Sequence, residues 1–222
     1  MCGGVSMQIT IREPGSAITH FIGMMLAIIA SVPLLIKSGM SAGGTCFLAM
    51  GIFMLSMILL YGASTTYHAV NVSDKALKIF RKIDHMMIFV MIAGSYTPVC
   101  LLVLDGRTGM TLLALVWGIA LFGMGINVLW ITCPKWFSSV VYIALGWVCL
   151  LVFGQLRAVL PVGAFLWLLA GGIVYTIGGV IYALKLPIFN GKHENFGSHE
   201  IFHLFVIGGS ICHFIFMYGY VA

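Results

Sequence analysis

Near its C-terminal end the chain reads Gly-Ser-His-Glu-Ile-Phe-His, residues 197–203. His199 and His203 are four apart. On a helix, at ~100° and ~1.5 Å per residue, they share one face about 6 Å apart along the axis. Two imidazoles so placed can bind one metal ion. The string also matches H-E-x-x-H, in which two helical histidines hold zinc and the glutamate serves as a protease base. The match stands alone, so Glu200 has a plainer reading as well: a carboxylate at a helix N-terminus, where the dipole favours it. Further groups able to do chemistry are His20, Ser64, His68, Asp84, His85 and His213. They are conspicuous because only 8% of the 222 residues are charged, while 61% are hydrophobic.

A soluble domain carries about 25% charged residues, so this composition belongs to the membrane class. Seven uncharged apolar runs of helical length follow one another, at about 17–36, 43–67, 84–104, 110–131, 138–156, 162–184 and 200–220. Turn chemistry separates them: Lys37-Ser38-Gly39, Asp105-Gly106-Arg107, Cys133-Pro134-Lys135 and the polar stretch from Leu186 to Ser198. The expected fold is an all-α integral membrane protein. It is a seven-transmembrane-helix bundle with short connections, one domain over 1–222. The net charge of +5 is too dilute for nucleic acid, and no glycine-rich phosphate loop occurs. The six cysteines lack metal-like spacing and read as small apolar packers; a Cys46–Cys100 disulfide is conceivable, because both fall toward the outer side, but is not expected. Cys2 follows no apolar segment, which argues against a lipoprotein signal.

Lysine and arginine set the orientation. One side holds Arg12, Lys75, Lys78, Arg81, Lys82, Lys135, Lys185 and Lys192; the other holds only Lys37, Arg107 and Arg157. The side with eight is expected to be cytoplasmic, which puts the N-terminus inside and the C-terminus outside. His68 then ends the second span, Asp84 and His85 begin the third, and His199 and His203 begin the seventh. All lie at one depth, joined by His20. Each costs roughly 3 kcal/mol on insertion scales, so their convergence points to one site. His68 is the expected third ligand, and three histidines with an open position make a catalytic type of zinc site. Iron, copper and nickel accept the same donors. Ser64 lies one turn deeper on the face of His68. Asp84, at the same membrane edge, could take a proton from water. Leu104-Asp105-Gly106, the segment that an intramembrane zinc protease would supply after its histidine pair, comes too early and falls at the far face. His20 and His85 are read as ordinary interhelical hydrogen-bonding residues. His213, about 15 Å beyond His203 along the axis, is read as a buried polar partner or a cavity residue.

Ser64-Thr-Thr-Tyr-His68, Lys82-Ile-Asp-His85, Ala93-Gly-Ser-Tyr-Thr-Pro98 and Ser198-His-Glu-Ile-Phe-His-Leu-Phe-Val-Ile-Gly-Gly-Ser-Ile-Cys-His-Phe214 carry a resemblance. So does the opening segment Glu13-Pro-Gly-Ser-Ala-Ile-Thr-His-Phe-Ile-Gly23. The chain resembles the bacterial hemolysin III family, the prokaryotic branch of the progestin and adipoQ receptor family that includes the adiponectin receptors. The resemblance implies seven helices, an internal N-terminus and a zinc near the cytoplasmic face. It implies His68, His199 and His203 as ligands, Asp84 holding a zinc-bound water, and Ser64 in the same pocket. Related receptors and the more distant alkaline ceramidases imply hydrolysis of lipid amides such as ceramide. The position of Glu200 is glutamine in the adiponectin receptors, so the family site does not require that carboxylate. The receptors' hormone-binding role does not carry over.

The leading expectation is therefore a zinc-dependent hydrolase of a lipid-like amide or ester in the cell's inner (plasma) membrane. An acyl chain, such as that of a membrane lipid or free fatty acid, would enter between helices. Asp84 and Ser64 would be catalytic, and Zn²⁺ would sit on His68, His199 and His203. A non-enzymatic membrane regulator with structural zinc is the alternative. A pore-forming haemolysin would need an amphipathic, water-lining segment, and none stands out.

Overall fold

The computed structural model describes residues 11–41, 43–130, 134–184 and 196–222. Cys133, Lys185, Lys192 and most of the polar stretch beginning at Leu186 lie outside the described residues. Among the described residues, seven helices are long and apolar enough to cross a membrane: α1 Pro14–Gly39, α2 Gly44–Ala69, α3 Asp74–Val103, α4 Gly106–Leu129, α5 Trp136–Val159, α6 Val162–Leu184 and α7 Ser198–Val221. At 1.5 Å per residue even the shortest exceeds the ~30 Å hydrocarbon core. No strand occurs among the described residues. The bundle closes on itself: α1 packs on α2, α2 on α3, α6 on α7, and α7 returns to α1. α2 and α3 are the most buried spans. Small residues permit the close approaches. A Cβ at Gly94 of α3 would lie 2.3 Å from the Ser56 hydroxyl of α2, the kind of contact that lets membrane helices pack by van der Waals fit. Large apolar side chains such as Ile29, Val32, Phe122 and Leu151 face outward.

Two features depart from the sequence reading. α3 begins at Asp74, ten residues before the apolar run, because Ser73 caps it by accepting from the Ala76 N–H (3.5 Å). Lys75, Lys78, Arg81 and Lys82 thus ride on a helix that continues past the apolar zone. α5 is also interrupted. It is α-helical to Gly146, tightens into a 3₁₀ turn over Trp147–Val152 and resumes at Phe153. Tyr96 of α3 enters this break. Its hydroxyl donates to the Gly146 carbonyl (2.6 Å) and accepts from the Cys149 N–H (2.9 Å), so a side chain supplies partners that the helix ladder has lost. Cys46 and Cys100 are both buried free thiols, and no disulfide joins them.

Candidate metal centre

One end of the bundle gathers the N-terminal turns of α1 and α7 and the C-terminal turn of α2. His68, the penultimate residue of α2, and His199 and His203, in the first two turns of α7, meet there. Each offers a ring nitrogen, and the three atoms lie within 4.8 Å of one another. Ring centroids are 5.0 Å apart for His68 and His199, 4.5 Å for His199 and His203, and 5.3 Å for His68 and His203. His68 and His203 are buried and His199 is half-buried.

The donor set fits a metal on two counts. The Nε2 atoms of His68 and His199 are 3.3 Å apart. Two nitrogens at about 2.0–2.1 Å from one tetrahedral ion are about 3.3–3.4 Å apart. The far sides of two rings are also held. His68 Nδ1 bonds the Glu13 carboxylate, and His203 Nδ1 lies 3.0 Å from the Thr19 hydroxyl. A partner on one ring nitrogen fixes the tautomer and aims the other, the arrangement metal-binding histidines use. Three clustered histidines could therefore hold a metal ion.

Glu13 and Thr19 are the residues that sequence reasoning missed as partners of the histidines. Glu13 is placed by a clamp just before α1. Its N–H donates to the His68 carbonyl (3.0 Å). The Arg12 guanidinium donates to the Tyr67 carbonyl (2.7 Å) and lies over the Tyr67 ring, 4.5 Å from its centroid. A signal was present: Glu13, Ser16, Thr19 and His20 recur at helical spacing, so one face of α1 carries them all.

Glu200 is used differently from the base of the protease motif. Its carboxylate accepts from the Gly197 N–H (2.8 Å) at the start of α7 and from the Ser16 hydroxyl of α1. It caps one helix and ties it to another. His20 is not a member of the ligand trio. Its ring stacks on His203 with centroids 3.5 Å apart and planes 9° apart, and meets Tyr61 edge-on.

A cavity of about 170 Å³ opens beside the histidines. His199, His203, Ser64 and Asp84 all contribute to its wall. Ser64 and Asp84 are buried, and their side chains lie near each other. Most of the remaining wall is apolar, including Ile88, Ile92, Phe202 and Val206. Asp105 lies at the other end of the bundle, as expected. It is exposed and caps α4 by accepting from the Thr108 N–H (3.0 Å), a bond that holds its carboxyl below the usual carboxylate range.

Residues 8–214 match the family model described as "Haemolysin-III related". The chain is 35% identical over 214 residues to Hemolysin-3 of Bacillus cereus, covering 96% of this chain and 94% of that protein. It is 37% identical over 206 residues to the Hemolysin-3 homolog of Bacillus subtilis (strain 168), covering 92% of each. A more remote relative is the adiponectin receptor protein of Drosophila melanogaster, 22% identical over 237 residues, covering 91% of this chain and 49% of that protein. With seven spans and a family model matched over nearly its whole length, this multi-pass membrane protein belongs to the haemolysin-III related family.

Proposed function

We propose that the protein is a zinc-dependent hydrolase of a lipid-like amide or ester. His68, His199 and His203 would hold the zinc. When bound, the ion supplies Lewis acidity toward a carbonyl oxygen and brings the pKa of water toward ~7. Asp84, turned to the cavity, accepts the proton of the attacking water on a carboxylate oxygen and returns it to the departing amine or alcohol. Ser64 orients that carboxylate, and its hydroxyl can also donate to the substrate carbonyl oxygen as negative charge develops there. Glu13 and Thr19 keep two imidazoles in the tautomer that leaves Nε2 free to coordinate. The apolar wall takes the acyl chain and excludes bulk water from the reacting groups.

The observation that carries this reading is the buried Asp84–Ser64 pair in the same cavity wall as His199 and His203. A metal serving only to clamp α2 to α7 gains nothing from a carboxylate turned toward an apolar chamber, and an intramembrane acid is costly to keep. The test compares zinc content with turnover of fluorescent ceramide and fatty-acid ester probes in Asp84→Asn. The substitution keeps size and one acceptor oxygen but removes basicity. Zinc should remain near one per chain while hydrolysis falls by roughly two to four orders of magnitude. Full zinc with unchanged turnover would remove Asp84 from the chemistry. Absence of turnover in the wild type, with in-cell function tracking zinc alone, would favour the clamp.

The reading includes an orientation. Of eleven lysines and arginines, the eight assigned to the side of the histidines put that end, and the N-terminus, in the cytoplasm by the positive-inside rule. The membrane is then the inner, or plasma, membrane. A periplasm-dependent reporter fused after Ala222 should be active, and one inserted within residues 186–198 should be silent. The reverse pattern would invert the topology.

A further inference from the structure

Four basic residues ride on the first turns of α3, and one of them is placed unlike the rest. Lys75 and Lys78 are exposed, and Lys82 donates to the Val128 carbonyl of α4 (2.8 Å). Arg81 is half-buried and contributes to the wall of the cavity beside the histidines. Arg81, Asp84, His85, Ile88, Met91 and Ile92 recur at i, i+3, i+4, i+7, i+10 and i+11, so one face of α3 lines the cavity. Arg81 opens that stripe, about 4.5 Å along the axis from Asp84 toward the helix start. Among the described residues it is the one lysine or arginine in the wall.

Its charge bears on the cavity and is not taken up. It acts on Asp84 and on the Tyr182 hydroxyl of α6, both of which also line the cavity, so the guanidinium lies within electrostatic reach of the chamber. Among the described residues, no hydrogen bond or ion pair engages it. The chamber is therefore graded. The cation stands at the end nearest the start of α3; Asp84, Ser64, His199 and His203 come next; Ile88, Ile92 and Val206 follow deeper in the bundle. A ligand with its acyl chain on that apolar wall and its carbonyl beside Asp84 points its head toward Arg81. The planar fork of the guanidinium suits a carboxylate. Asp84 repels an anion that enters the other way round.

We propose that Arg81 selects substrates with an anion on the leaving group, of the N-acyl amino acid class, over those with a neutral head. Hydrolysis of such a substrate breaks the amide C–N bond. The acyl carbon takes the hydroxyl of water, the departing nitrogen takes its proton, and a fatty acid and an amino acid leave. This chemical step rests on the hydrolase reading above, whereas the preference for an anionic head is a binding property that is measured without turnover.

The test uses the purified full chain in neutral detergent with N-oleoylglycine and N-oleoylethanolamine, which differ only in a carboxylate against a hydroxymethyl group. Each displaces a fluorescent ceramide, and oleate release from both is followed in parallel. N-oleoylglycine should bind roughly tenfold to thirtyfold tighter, the value of a charge-assisted hydrogen bond at a half-buried position. Arg81→Gln should bring N-oleoylglycine down to the affinity of N-oleoylethanolamine with zinc content unaltered, and Arg81→Lys, which keeps the charge but not the fork, should retain part of the preference. Lys78→Gln removes the same charge from an exposed position of the same helix and should keep the preference; its loss there would reduce the effect to surface charge and overturn the role of Arg81. Equal affinity of the two probes for the wild type overturns that role too, as does a preference that survives in Arg81→Gln, and oleate release then still upholds the hydrolase reading. A preference without oleate release keeps Arg81 and overturns the hydrolase. Saturable binding of neither probe overturns both together. The wild-type comparison decides even if Arg81→Gln fails to fold.

Discussion

His203 and His213 stand on the same helix, yet their surroundings differ. Around His203, α1 supplies Thr19 to one ring nitrogen and His20 to the ring face, while His68 arrives from α2 and His199 from one turn earlier. Around His213 there is Gly171, the Tyr175 ring and cavity. The residue type is identical; the neighbours decide its chemistry. Where three helix ends converge, an imidazole is oriented by partners and aimed at other imidazoles. Mid-helix, the ring packs against Gly171 and Tyr175 of α6, and both its nitrogens are shut in without a protein hydrogen-bond partner among the described residues.

The comparison can be broken by exchange of metal and ligand phenotypes. His203→Ala should remove most of the bound metal, because three-ligand sites seldom persist as two, whereas His213→Ala should keep it. Elemental analysis of the two variants decides, and comparable losses would erase the distinction. A smaller effect is expected one step out from the metal. Glu13→Gln removes the charge behind His68 while preserving its hydrogen bond, and metal affinity in a chelator competition should weaken by about tenfold to a hundredfold. No change would mean that Glu13 serves only the clamp at the end of α2. The smallest effect belongs to the other histidine. Gly171→Ala forces the His213 ring to move, at a cost of roughly 1–3 kcal/mol of stability. It should lower the unfolding midpoint in detergent without altering metal content. Metal loss in Gly171→Ala would show the two regions to be coupled.

Much of this was legible in the sequence. Seven apolar runs give seven spans because the hydrocarbon core imposes a length that composition reveals. The i, i+4 pair His199 and His203 is a helical geometry readable from spacing, and His68 followed from the alternation of the spans. What escaped has a physical reason in each case. The extra turns of α3 carry lysines and arginine, so a search for uncharged runs stops before the helix does. The break in α5 depends on Tyr96, fifty residues away in the sequence, whose hydroxyl serves Gly146 and Cys149. Glu13 precedes the first apolar run and takes its role from contacts with the distant end of α2. Long-range partners of this kind leave no local periodicity. His213 was legible as a buried polar partner or a cavity residue; that it borders both cavities required the packing of α6 on α7.

The central claim is that three imidazoles share one ion, and zinc-edge X-ray absorption on the purified wild-type protein tests it most directly. The account predicts about one zinc per chain, with three histidine nitrogens among its ligands at about 2.0–2.1 Å and their characteristic outer-ring scattering. Sulfur scattering at about 2.3 Å, which would bring cysteines into the site, or the absence of stoichiometric metal from protein purified without chelator, would contradict it.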